Sequence, residues 1–80
     1  MKLKPGDLVT PAPIAGNHVC LYRSQVNEEG RIEVVTVVPC GHTATVVCVE
    51  PHPGADAVRL LLMYDGCLGW ATSYWVKEVT

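Results

Sequence analysis

The chain alternates between short apolar or β-branched runs and turns rich in proline and glycine, a pattern typical of antiparallel β structure. A first strand is predicted over 7–10, after a Pro5-Gly6 turn and before two prolines that cannot donate to a ladder. Residues 18–38 predict a hairpin, because apolar residues alternate in its first arm and β-branched residues dominate its second. Over 41–79 we predict three further antiparallel strands, a 3₁₀ turn and a closing strand.

Residues 57–64 are also compatible with a short helix. Asp56 could cap it, Gly66 could follow its last turn, and the apolar residues between them have helical spacing. We favour a strand, because the segment is short for a helix and lies between two strand signals.

The Asp65-Gly66 dipeptide between two apolar runs predicts a two-residue hairpin turn of type I′. Such a turn pairs Leu62 with Gly69 and Leu61 with Trp70, and the register continues on either side. One face then sets large residues opposite small ones, as the interior of a curved sheet requires: Leu60, Leu62, Tyr64, Gly69 and Ala71. The opposite face carries Arg59, Leu61, Met63, Leu68, Trp70 and Thr72.

The register of the preceding strand, over 43–50, decides what else lies on that opposite face. The simplest choice places Val47 beside Leu60, so Val46 and Cys48 point outward. We therefore predict an apolar outer face that acts as an interface and contains Val46, Leu61, Met63, Leu68 and Trp70. Either the 18–38 hairpin or a second copy of the chain would cover it; alternatively, a one-residue register slip would bury this face instead.

Size and composition favour association. Eighty residues predict a single domain over 1–80, and such a domain buries only about 60–65% of its unfolded surface. Hydrophobic residues make up 49% of the chain, which is more than one small core holds. The expected partner is the chain itself, as a homodimer or higher oligomer, or an unidentified protein.

The net charge and the first residues of the chain indicate which ligands and which cellular location to expect. The net charge is −2 and the six basic residues are scattered, which argues against nucleic-acid binding. The start carries no apolar signal segment, and the longest apolar runs are too short to span a membrane. We therefore expect a cytoplasmic protein with no membrane association.

Several motifs occur in an order that resembles the small SH3-like barrels. They are the Pro5-Gly6-Asp7 turn before a strand, a strand after Gly41, the Asp65-Gly66 turn followed by Gly69-Trp70, and a closing strand from Tyr74. This order covers about half the chain and is similar to the small SH3-like protein of photosystem I, the variable chain of ferredoxin–thioredoxin reductase and KOW-type domains. The resemblance implies an all-β, antiparallel SH3-like barrel of five strands, with an extra hairpin over about 18–38 in the first long loop. The peptide-binding motifs of SH3 domains and the basic loop of KOW domains are absent, so the resemblance implies a fold rather than a ligand.

Metal-binding chemistry is sparse. Cys40 and His42 are weak candidates for a metal site, with His18, Cys20 or His52 as further ligands, because structural zinc sites usually contain closely spaced cysteine pairs. The four cysteines form no CxxC motif, and without a secretory signal we interpret them as small buried hydrophobic residues rather than as disulfides. We predict no cofactor.

Aromatic residues late in the chain offer a ligand groove instead. Tyr64, Tyr74 and Trp75 could form such a groove beside Trp70, or could pack in the core or at the interface. No nucleophile, base and orienting group occur together in a recognisable pattern, so we do not expect an enzyme. The function expected is that of a non-enzymatic protein–protein interaction or assembly module; the alternatives are a KOW-like nucleic-acid-binding domain and a small zinc-binding domain.

Overall fold

A computed structural model describes residues 3–23, 33–51 and 57–79, and the chain is all-β in these segments, as predicted. The elements are β1 (Leu8–Pro11), η1 (Pro13–Ala15), β2 (His18–Tyr22), β3 (Val34–Pro39), β4 (Ala44–Pro51), β5 (Val58–Tyr64), β6 (Cys67–Thr72), η2 (Ser73–Trp75) and β7 (Val76–Glu78), where η denotes a 3₁₀ turn. The segment 57–64 is a strand and not a helix. Within the described residues no helix is long and apolar enough to cross a membrane. Asp56, the possible helix cap, and His52, a possible metal ligand, lie outside the described segments.

All seven strands belong to one antiparallel sheet, in the order β3-β2-β6-β5-β4-β1-β7. The sheet curls into a half-barrel, and β1 and β3 approach each other although they lie near its opposite ends. The predicted hairpin over 18–38 exists as β2 and β3, but these strands extend the sheet beyond β6 and do not fold across its outer side. The described fold is therefore one seven-stranded sheet curled into a half-barrel, to which the hairpin over 18–38 contributes two strands.

The β5–β6 hairpin has the predicted register. Asp65 and Gly66 both have positive φ, 53° and 78°, as a type I′ turn requires. Leu62 pairs with Gly69 and Leu61 with Trp70, and the remaining predicted pairs also form. Because side chains alternate across a strand, this turn assigns the residues of both strands to their two faces.

The core fills the concave side of the curl. It contains residues from every strand: Val9, Val19, Leu21, Val38, Ala44, Val46, Leu60, Leu62, Ala71 and Val76. Leu21, Leu60 and Leu62 have no exposed surface. The predicted inner face of the β5–β6 hairpin is therefore the core face, and the hairpin formed by β2 and β3 contributes to the same core.

The predicted outward position of Val46 is wrong. Val46 pairs with Leu62 and is only 1% exposed, so it belongs to the core. A bulge at Val47 shifts the register, and Cys48 rather than Val47 follows in the ladder, opposite Leu61. The extra residue of a bulge reverses the alternation locally, which leaves Val47 exposed and Cys48 on the outer side as predicted.

The two edges of the sheet differ in length and charge. β7 has only three residues, two of which are Lys77 and Glu78, and short charged edge strands resist further pairing. β3 has six residues and no charge.

Candidate functional site

The convex side of the sheet carries an outer apolar face built from two cross-strand rows. The first row crosses four neighbouring strands through directly paired positions: Leu8, Thr45, Met63 and Leu68. Met63 and Leu68 are 45% and 46% exposed, which is high for large apolar side chains in the middle of a sheet. Three of the four positions in this row are therefore apolar and accessible to solvent.

The second row runs beside the first and is longer. It crosses five strands through consecutive paired positions: Cys48, Leu61, Trp70, Tyr22 and Val34. Four of these side chains are half-buried by their neighbours, and Val34 is exposed. Glu50, Arg59 and Thr72 form a polar border beyond this row on β4, β5 and β6. Together the two rows make one uncharged surface from β1 to β3.

Four of the five predicted interface residues lie on this face: Leu61, Met63, Leu68 and Trp70. The fifth, Val46, does not. Tyr22 and Val34 also belong to the face, and the sequence pattern did not assign them to it. Alternation along 18–22 assigns the side chains of β2 to two faces. Only the long-range pairing of Tyr22 with Trp70 shows that one of these faces is continuous with the outer apolar face.

A pocket of about 310 Å³ opens beside the second row, between β2 and β6. These strands share one ladder position, Tyr22 opposite Trp70, and Cys20 and Thr72, two residues further along the two strands, line the pocket. The aromatic pocket is lined by Ala15, His18, Val19, Cys20, Tyr22, Arg59, Trp70, Ala71, Thr72 and Trp75. Both tryptophans of the chain therefore face one cavity.

The turn η2 brings Trp75 to the pocket, and Ser73 anchors that turn. The backbone N–H of Val58, at the start of β5, donates to Oγ of Ser73 at 2.9 Å in a partly buried position. Tyr74 packs edge-on against Trp75 at a ring-centroid distance of 5.0 Å and is itself 57% exposed. This hydrogen bond ties η2 to the start of β5, and the backbone N–H of Ala12 donates to the carbonyl oxygen of Trp75 at 2.9 Å.

Ser73→Ala is expected to lower the free energy of unfolding by about 1–2 kcal/mol, because the N–H of Val58 loses its acceptor in a partly buried place. Chemical denaturation followed by circular dichroism measures this loss. Ser73→Thr keeps the hydroxyl and serves as the control. Equal stability of the alanine variant and the wild type would show that this bond does not hold η2.

The three residues predicted to form a ligand groove do not come together. Trp75 lines the aromatic pocket, and Tyr74 rests against Trp75 outside the pocket lining. Tyr64 lies at the opposite end of β5, where its hydroxyl is hydrogen-bonded to Nδ1 of His42 at 2.7 Å. The grouping of Trp75 with Trp70 is the part of the predicted groove that exists in the structure.

His42 has a structural role in the turn between β3 and β4. Besides its contact with Tyr64, its carbonyl oxygen accepts a hydrogen bond from Oγ1 of Thr10 at 2.7 Å. In 3–23, 33–51 and 57–79, no three His, Cys, Asp or Glu side chains are grouped closely enough to hold a metal ion. Cys20, Cys40, Cys48 and Cys67 are free thiols, and none is fully buried as predicted: Cys40 is exposed and the other three are half-buried.

Comparison with protein-family models, with curated proteins and with solved structures finds no significant match to this chain. Function is therefore argued from the outer apolar face and the aromatic pocket alone.

Proposed function

We propose that this chain is a non-enzymatic protein–protein interaction module, with an SH3-like barrel fold, that self-associates through its outer apolar face. The observation that carries the proposal is the pair of uncharged, largely apolar rows on the convex side of the sheet. The partner we assign to this face is a second copy of the chain.

The SH3-like fold is supported by the strands that remain when β2 and β3 are set aside. They lie in the order β6-β5-β4-β1-β7. In this order β1, β4, β5 and β6 form a four-stranded meander, and the last strand, β7, pairs with the first, β1. A 3₁₀ turn, η2, precedes that last strand. This layout agrees with the resemblance stated from the turn motifs.

The exposed area of the outer apolar face favours an oligomer over a monomer. Covering ~400 Å² of apolar surface contributes on the order of 10 kcal/mol before the entropic costs of association. That amount is comparable with the whole stability of a domain of this size. The described core contains only ten buried hydrophobic residues, so covering this face would add substantially to the protected apolar surface.

Charge favours a second copy of the same chain as the partner. Both rows lack charged residues, and the border beyond them carries one acid and one base, Glu50 and Arg59, at directly paired positions. Two identical copies related by a two-fold axis present the same patch to each other. An uncharged patch with a balanced border can be buried this way without like charges meeting.

Sedimentation equilibrium of the wild-type protein over a concentration series is expected to show an apparent mass that rises from 8.7 kDa toward a multiple of that value. Because the contact is apolar, raising the salt concentration should leave the dissociation constant unchanged or lower it. A constant mass of 8.7 kDa up to high micromolar concentration would overturn the proposal. A steep loss of binding to RNA or DNA with salt would instead support the nucleic-acid-binding alternative.

A further inference from the structure

We propose that the aromatic pocket binds a small planar aromatic carboxylate. This inference goes beyond self-association: the pocket is complete within one chain, and it shares Tyr22 and Trp70 with the outer apolar face. It rests on the shape of the cavity, its aromatic walls and the signs of the charges around it.

The walls favour a flat ring. Trp70 and Trp75 supply two indole rings, and Tyr22 adds a third aromatic ring beside Trp70. Aromatic side chains bind planar rings through stacked and edge-to-face contacts, which aliphatic ligands do not reproduce. Trp75 is 43% exposed without a ligand, so a bound ring would cover apolar surface that is now in contact with water.

The polar lining favours a negative charge on that ring. Arg59 supplies a permanent cation, and His18 and Thr72 add groups that form hydrogen bonds, whereas none of the described residues that line the cavity is acidic. Guanidinium binds carboxylate groups in a planar, two-pronged geometry that suits an acid attached to a ring.

Glu50 lies opposite Arg59 in the β4–β5 register but outside the pocket lining. A guanidinium has five N–H donors, so it can serve both a neighbouring carboxylate and a ligand. Removing the charge of Glu50 should therefore strengthen ligand binding, whereas removing the charge of Arg59 should weaken it.

The volume limits the size of the ligand. A cavity of about 310 Å³ lies at the lower end of the range for small-molecule sites. It suits a ligand of roughly ten to fifteen non-hydrogen atoms, for which a dissociation constant of about 1 mM or below is expected. Nucleotides and peptides exceed this size.

Three matched probes test the charge requirement: phenylacetate, 2-phenylethanol and 2-phenylethylamine share a ring and differ in the charge at the end of a short chain. The two tryptophans are the only ones in the protein and both line the pocket, so their emission reports on it directly. Phenylacetate should change this emission in a saturable way. The alcohol should bind about tenfold more weakly, and the protonated amine should not bind at concentrations that saturate the acid.

Variants then test the residues. Arg59→Gln should weaken phenylacetate binding about tenfold and leave the alcohol unaffected, whereas Glu50→Gln should tighten phenylacetate binding several-fold. The Met63→Glu, Leu68→Glu double variant changes no lining residue but weakens the contact that would cover Tyr22 and Trp70, so it should bind phenylacetate at least as tightly as the wild type does. Circular dichroism verifies that each variant is folded. If Arg59→Gln does not fold, Thr72→Val provides a second lining variant. No saturable change up to ~10 mM phenylacetate, or equal binding of all three probes, would overturn the proposal.

Discussion

Gly69→Ala is expected to lower the free energy of unfolding by about 2–3 kcal/mol, although it adds only one methyl group. A Cβ atom at position 69 would lie 2.5 Å from Cβ of Leu21 and 3.1 Å from its backbone carbonyl carbon. Leu21 is fully buried, so it cannot move into open space. The absence of a side chain at Gly69 is what lets β2 approach β6, and the added methyl group would force these strands apart.

Thermal unfolding measures this effect, and Gly66→Ala is the matched control. Gly66 has open space around it but a φ of +78°, so alanine there costs about 1 kcal/mol through backbone strain alone. For a domain of this size the two losses correspond to melting temperatures lower by roughly 10–20 °C and about 5 °C respectively. If Gly69→Ala is as stable as Gly66→Ala, the close approach of β2 to β6 does not limit the fold.

Replacing Met63 and Leu68 together with glutamate is expected to raise the dissociation constant for self-association at least about a hundredfold. The two side chains are directly paired and form the β5–β6 end of the first row. In a two-fold complex the double variant would place four carboxylates in an apolar contact, where neither water nor a counter-ion compensates them. Because both positions are half-exposed in the monomer, the fold itself should tolerate the change.

Sedimentation velocity of the folded variant measures this prediction, and Ile14→Glu is the control. Ile14 lies in η1, is 57% exposed and belongs to neither row, so a charge there should leave association unchanged. Equal weakening by Ile14→Glu and by the double variant would mean that net charge, and not this face, controls association.

Local sequence signals were sufficient for the β5–β6 hairpin. The Asp65-Gly66 turn needs positive φ at both residues, and once it forms, the period of two assigns every side chain of the hairpin to a face. The pairing of large Leu62 with small Gly69 also identifies the core side from the sequence alone. The two predicted faces therefore agree with the burial in the structure.

Two features depended on contacts distant in sequence. The bulge at Val47 has no signature in a run of β-branched residues, since any of them can be the extra residue, and it moved Val46 from the predicted interface into the core. The pairing of Tyr22 with Trp70 joins strands separated by more than forty residues of chain. The aromatic pocket lies between these two strands, beside their one paired position, so no local motif predicts it.

Cross-saturation NMR can show whether two copies of the chain meet through the outer apolar face. A deuterated, ¹⁵N-labelled chain is mixed with an unlabelled one, and saturation passes only to amides at the contact. We predict that the strongest losses fall on Leu61, Met63, Leu68 and Trp70. Losses confined to β3 or to η1 and η2, or no losses at a concentration where the protein is a dimer, would contradict self-association through this face.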